Sequence, residues 1–134
     1  MNNRNFIDIG LLIIRASLGI LMLLHGINKL GGIPFIEKKL IEIGLPAFIA
    51  YGVYIGEIIA PILIIIGFRT RIAALIFAFN CLVAVLLVHS SDIFSLNKHG
   101  AWAIELLGLY FFVSLALFFM GGGKYSISSK SVWD

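Results

Sequence analysis

The chain has 134 residues, 60% of them apolar and 13% charged, with a formal net charge of +3, and its mean hydropathy is +1.06. A water-soluble domain of that length has too little interior to hide so many Leu, Ile and Phe side chains, so lipid must serve as solvent for much of the surface. A soluble catalytic domain is excluded. So is a nucleic-acid partner, because the basic residues are scattered among short connections without a basic patch or an aromatic stacking platform. Cys81 is the sole cysteine, which excludes an intramolecular disulfide, a CxxC dithiol and a cysteine-held iron–sulfur cluster.

The first apolar run, Ile7 to Leu24, leads into His25-Gly26-Ile27-Asn28-Lys29-Leu30 and stops at Gly31-Gly32, which predicts a spanning helix over about 6–29. It lacks a small-residue cleavage site and is followed by further spans, so it is read as a retained helix rather than a signal peptide. After Pro34, Ile36, Leu40 and Ile43 recur on one side while Glu37, Lys38, Lys39 and Glu42 fill the other. A segment this short and amphipathic cannot span, and it reads as an interfacial helix or lid.

The second span, about 47–67, carries Glu57, Pro61 and the small residues Gly52, Gly56 and Ala60. Pro61 has no N–H to offer the carbonyl of Glu57, so this helix should bend beside its carboxylate. A tight turn containing Arg69 and Arg71 leads to the third span, about 71–89, with Asn80 and Cys81 inside it. His89 to His99 is loop-like, and the fourth span is expected over about 100–120, with Trp102, Glu105 and Gly108. Gly121 to Gly123 ends it, and a Ser-rich tail follows. The fold class is therefore an all-α, four-transmembrane-helix bundle, a single domain over 1–134, with a short interfacial helix between the first and second spans.

Four spans put both termini on one side. That side carries Arg4, Arg69, Arg71, Lys124 and Lys130, against Lys29, Lys38, Lys39 and Lys98 opposite, and two arginines in the tightest loop favour cytoplasmic termini.

Arg15, Glu57 and Glu105 interrupt apolar stretches, where a charge costs about 3 kcal/mol and normally faces a partner inside the bundle. At about 1.5 Å per residue, Arg15, Glu57 and Asn80 fall near mid-membrane, and Glu105 lies about 8 Å from the outer end of its helix. Two polar layers are expected: a deep Arg15–Glu57 pair with Asn80 nearby, and an outer cluster of His25, Lys29, His89 and Glu105. Arg15, Gly19, Met22, Gly26 and Lys29 share one helical stripe, which should face the interior.

The order of these motifs is similar to that of the DoxX family of small four-helix membrane proteins. The resemblance rests on the Arg15 helix running into His25-Gly26-x-x-Lys29-Leu30, on Gly56-Glu57 with Pro61 and Gly67, on Gly-x-x-Thr70-Arg71, on Gly-x-x-x-x-Glu105 and on the closing Gly-x-Lys-Tyr-Ser. It implies a plasma-membrane bundle. Members of the family include subunits of quinone-linked thiosulfate oxidation, a membrane component associated with thiol and superoxide defence and, more distantly, a eukaryotic cargo receptor. Where many members have an acidic residue after Tyr-Ser-x, this chain has Ser128.

The resulting functional expectation is an accessory or quinone-interacting subunit of a membrane redox system. The chain has no self-contained catalytic motif, so redox activity would be that of a quinone-linked oxidoreductase subunit. The candidate ligand-binding residues are Arg15, His25, Lys29, Glu57 and Glu105, with Asn80 and His89 in support. Arg15 or His25 would hydrogen-bond a quinone oxygen, and Glu57 or Glu105 would exchange its protons. No metal site is expected, because His25, His89 and His99 lack HxxxH or ExxH spacing. The candidate partners are the lipid bilayer, redox partner subunits and a second copy of the chain. Two alternatives use the same charges differently: a small-molecule carrier that neutralises its ligand with them, and a scaffold in which they only fix helix packing.

Overall fold

The sequence pattern of long apolar runs broken by Gly and Pro folds into helices throughout a computed structural model, which describes residues 2–134. Helix α1 is Asn3–Asn28, opened by the Asn2 side chain, which accepts from the Asn5 N–H at 2.9 Å. Pro34 sits in the first turn of the short α2, Pro34–Glu42. The long helices α3, Ala47–Ile66, and α4, Thr70–Val88, join α1 as the three that are long and apolar enough to cross a membrane. A shorter apolar helix, α5, Glu105–Met120, completes the bundle. The protein is an all-α membrane protein.

Helix α5 begins later than the start near residue 100 that the apolar run suggests. The Asn97 carboxamide oxygen accepts the N–H groups of both His99 and Ala101, and the Trp102 indole donates to the Ile93 carbonyl at 2.7 Å. Side chains thus satisfy this backbone locally, and Gly100 turns it at φ 83°, so no helix forms before Glu105.

Packing follows the small-residue stripes. Helix α4 lies against α5, and α1 lies against the second half of α3. The core between them is built from Leu11, Leu18, Met22, Ile64, Phe77 and Leu117. A satellite cluster of Ile33, Leu40 and Ala50 holds α2 against the start of α3. On the outside, Ile13, Leu24, Phe79, Phe112 and Phe119 project away from the protein, as a surface solvated by lipid requires.

Helix α3 is not uniform. It opens with a 3-10 stretch, passes through a π-helical turn at Ile55–Ile59 and continues as α-helix to Ile66. The π turn surrounds Glu57 and ends just before Pro61, whose missing N–H is the physical reason that the regular hydrogen-bond ladder breaks there. The expected bend beside the carboxylate therefore takes the form of a widened turn.

The segment after α5 folds back into the bundle. The Ile127 N–H donates to the Ile66 carbonyl and the Ser128 N–H to the Gly67 carbonyl, while the Arg71 N–H donates to the Trp133 carbonyl. The Asp134 carboxylate accepts from the Ser128 hydroxyl at 2.6 Å and the Ser131 N–H at 2.8 Å, and lies 3.4 Å from Arg69.

This returning segment corrects the expectation for Arg15. Its guanidinium, 1% exposed, donates from Nε to Ile64 O at 2.9 Å, from Nη2 to Ile65 O at 2.9 Å, and from Nη1 to Gly122 O and Tyr125 O at 3.0 and 2.8 Å. Two of these acceptors are last-turn carbonyls of α3 without intrahelical partners, at the negative end of its dipole. Arg15 closes one helix and ties down the tail. It does not pair with Glu57.

Candidate functional site

The partner of Glu57 is Lys29. Its ammonium nitrogen lies 2.6 Å from Glu57 Oε1, and the carboxamide of Asn80 approaches Oε2 at 3.5 Å. Glu57 is 5% exposed in its side chain and Lys29 33%, so the carboxylate is inside the bundle and the ammonium stem leads to its edge. Each element contributes for a local reason. Lys29 starts the single 3-10 turn that follows α1, and the Tyr54 hydroxyl donates to its carbonyl at 2.8 Å, fixing that turn to α3. Glu57 projects from the π turn, and Asn80 from α4.

Two glycines make the approach of these three helices geometrically available. A Cβ on Gly26 would overlap the backbone carbonyl of Glu57, and one on Gly56 would overlap the Asn80 side chain. Neither neighbour is a flexible chain end that could swing away. The stripe from Arg15 to Lys29 therefore does face the interior, and its glycines serve close backbone contact.

The other expected members of the outer cluster do not gather here. His25 is exposed, with its ring edge-on to Tyr110 at 6.3 Å between centroids. His89 pairs with Asp92 at 3.4 Å. Glu105 lies exposed in the first turn of α5, with no ion-pair partner among the described residues. The two expected polar layers are thus rearranged. Lys29 leaves the outer cluster and reaches down to Glu57, while Arg15 is taken by backbone carbonyls. Tyr54 was not singled out by the sequence reasoning, and its only signal is a hydroxyl placed one helical turn before Glu57.

Between α4 and α5 lies a groove of about 190 Å³ lined by Cys81, Val85, Trp102, Ile104, Gly108 and Phe111, with none of Lys29, Glu57 and Asn80 in its lining. Its lining side chains are aliphatic and aromatic apart from the Cys81 thiol. Cys81 is adjacent in sequence to Asn80, so the groove starts one residue from a group that contacts the carboxylate. The Trp102 ring lies on Gly108, where any Cβ would overlap it.

Chemically, the cluster is a carboxylate inside the bundle with an ammonium nitrogen 2.6 Å from it. Ionisable residues inside a membrane bundle face a partner of this kind rather than lipid. The pair can donate a hydrogen bond from Lys29 Nζ to an oxygen placed at the edge of the bundle.

A family model described as DoxX matches residues 10–90. The chain is also 31% identical over 108 residues, covering 81% of its length and 80% of the relative's, to the Bacillus subtilis (strain 168) protein named "Putative oxidoreductase CatD". No solved structure matches it.

Proposed function

The chain belongs to the DoxX family, and on that premise we propose that it is a quinone-interacting subunit of a redox system in the plasma membrane, with Lys29 and Glu57 as its proton-handling pair. The observation that carries the reading is the 2.6 Å contact between Lys29 and Glu57 inside the bundle. The name of the Bacillus relative agrees with it in reaction class.

The residues fit such a ligand. The apolar groove that starts at Cys81, next in sequence to Asn80, would take a ring with its tail left in the lipid, and Lys29, Glu57 and Asn80 would supply the polar groups for a carbonyl oxygen. A bound quinone supplies two-electron, two-proton carrier chemistry. The protein's part is to bind and to move protons. With a quinone bound, Lys29 Nζ would donate a hydrogen bond to its oxygen and Glu57 would take or give a proton, while the Asn80 amide donates to the other carboxylate oxygen. Cys81 alone cannot form a dithiol, so electrons come from a partner redox subunit. Arg69 and Arg71 in the short turn and Lys124 in the tail support a cytoplasmic side for both ends of the chain by the positive-inside rule.

The test is to purify the protein from its own membrane and to titrate it with ubiquinone and menaquinone. Co-purifying quinone and a saturable spectral change that is lost in Glu57→Gln are expected. Absence of both would contradict the reading.

A further inference from the structure

At the end of the bundle where α5 stops, the returning tail and the start of α1 enclose a second cavity of about 480 Å³. It lies well away from Lys29 and Glu57 in the chain and shares none of their residues. Three cations line it, Arg4, Arg71 and Lys124, together with Asp8, Asp134 and the Gly121–Gly123 backbone.

The two carboxylates of the lining are already engaged. Asp8 accepts the Lys124 backbone N–H at 3.2 Å and lies 3.8 Å from Arg4, and Asp134 is held by Ser128, Ser131 and Arg69. Of the three cations, Arg4 faces Asp8, while Arg71 and Lys124 have no carboxylate partner among the described residues. Arg71 spends one N–H on the Val132 carbonyl at 3.2 Å, and its Nε is buried with no hydrogen-bond partner among the described residues. The Lys124 ammonium lies over the Tyr125 ring, 5.9 Å from its centroid. A buried guanidinium N–H without an acceptor is costly and rare. An oxyanion with several oxygens in the cavity would accept from the remaining N–H groups of this guanidinium and neutralise Lys124 at the same time.

We infer that this cavity is a binding site for a phosphate group at the membrane surface, gripped by the guanidinium of Arg71 and the ammonium of Lys124. The chemistry suits the headgroup of an anionic phospholipid and a free phosphate alike. It does not depend on the quinone reading.

The test uses the full chain in nanodiscs of phosphatidylcholine with a minority of phosphatidylglycerol, read by native mass spectrometry, and the detergent-solubilised chain titrated with inorganic phosphate by calorimetry. Retained phosphatidylglycerol assigns the site to a lipid headgroup, and phosphate binding that displaces it assigns a soluble ligand. In either arm R71Q/K124Q should bind about tenfold more weakly, the scale of losing a charge-assisted contact. R71K should lie between the two, because it keeps the charge and loses the fork. K38Q/K39Q, at the opposite end, should bind like the wild type. If the double variant melts early, K124Q alone, on an exposed residue, carries the comparison. Equal binding by wild type and variants, or no retention of either probe by the wild type, would overturn the inference.

Discussion

Lys29 Nζ and Glu57 Oε1 lie 2.6 Å apart, joining the turn after α1 to the π-helical turn of α3. The pair is asymmetric, with a carboxylate enclosed by protein and an ammonium whose stem reaches the edge. Removing one partner should therefore hurt more than removing both. We expect Lys29→Met to destabilise the protein by about 3 kcal/mol, because it strands a buried carboxylate, and Lys29→Met/Glu57→Leu to recover most of that loss. Thermal unfolding in detergent checks this. With Glu57→Leu measured alongside, a double variant destabilised by the sum of the two single variants would mean that the contact carries no coupling.

Gly26 is the point where α1 touches the backbone of Glu57. Gly26→Ala should cost about 1–3 kcal/mol by overpacking and push Lys29 away from its partner. Gly10→Ala, on the same helix with nothing within 4 Å of the added Cβ, should leave stability unchanged or raise it slightly. Paired melting curves give the comparison.

Arg15 predicts the behaviour of the tail. Its four carbonyl acceptors include Gly122 and Tyr125, so Arg15→Met should release the segment after α5. Trypsin should then cut faster at Lys124 and Lys130 than in the wild type. Arg15→Lys should fail to restore protection, since one ammonium cannot reach four carbonyls spread around a planar fork.

The tail should also respond to acid. The hydrogen bond from Ser128, together with the Ser131 N–H and the charge of Arg69, holds the Asp134 carboxyl below the ordinary carboxylate range, although its burial opposes this. A depressed native value means that the stabilising effect is complete above the unfolded value, near pH 4, and is lost as pH falls through the native one. Hydrogen exchange of the Ser128 and Ser131 amides should thus stay slow at neutral pH and accelerate only in strong acid. Asp134→Asn should exchange fast throughout.

Much of this was legible in the sequence. The apolar runs gave the helices, and the proline after Glu57 gave the distorted turn, because both are local consequences of side-chain solvation and a missing N–H. The stripe of Gly19, Met22 and Gly26 gave the buried face of α1. The pairing of charges was not legible. Rise along a helix fixes the height of a residue but not its direction around the axis, and a lysine stem spans enough depth to move Lys29 from the outer layer to Glu57. The acceptors of Arg15 come from a Gly- and Ser-rich tail that composition alone marks as a connection. Backbone carbonyls have no sequence signature, so a buried arginine reads as a partner for the nearest carboxylate until the tail is placed.

The most direct measurement is redox-induced infrared difference spectroscopy of the reconstituted protein with bound ubiquinone, reduced electrochemically. The account predicts a carboxyl C=O band that appears on reduction, shifts when glutamate is carbon-13 labelled and disappears in Glu57→Gln. A spectrum without that band, or one in which it survives the substitution, would contradict the assignment of Lys29 and Glu57 as the proton-handling pair.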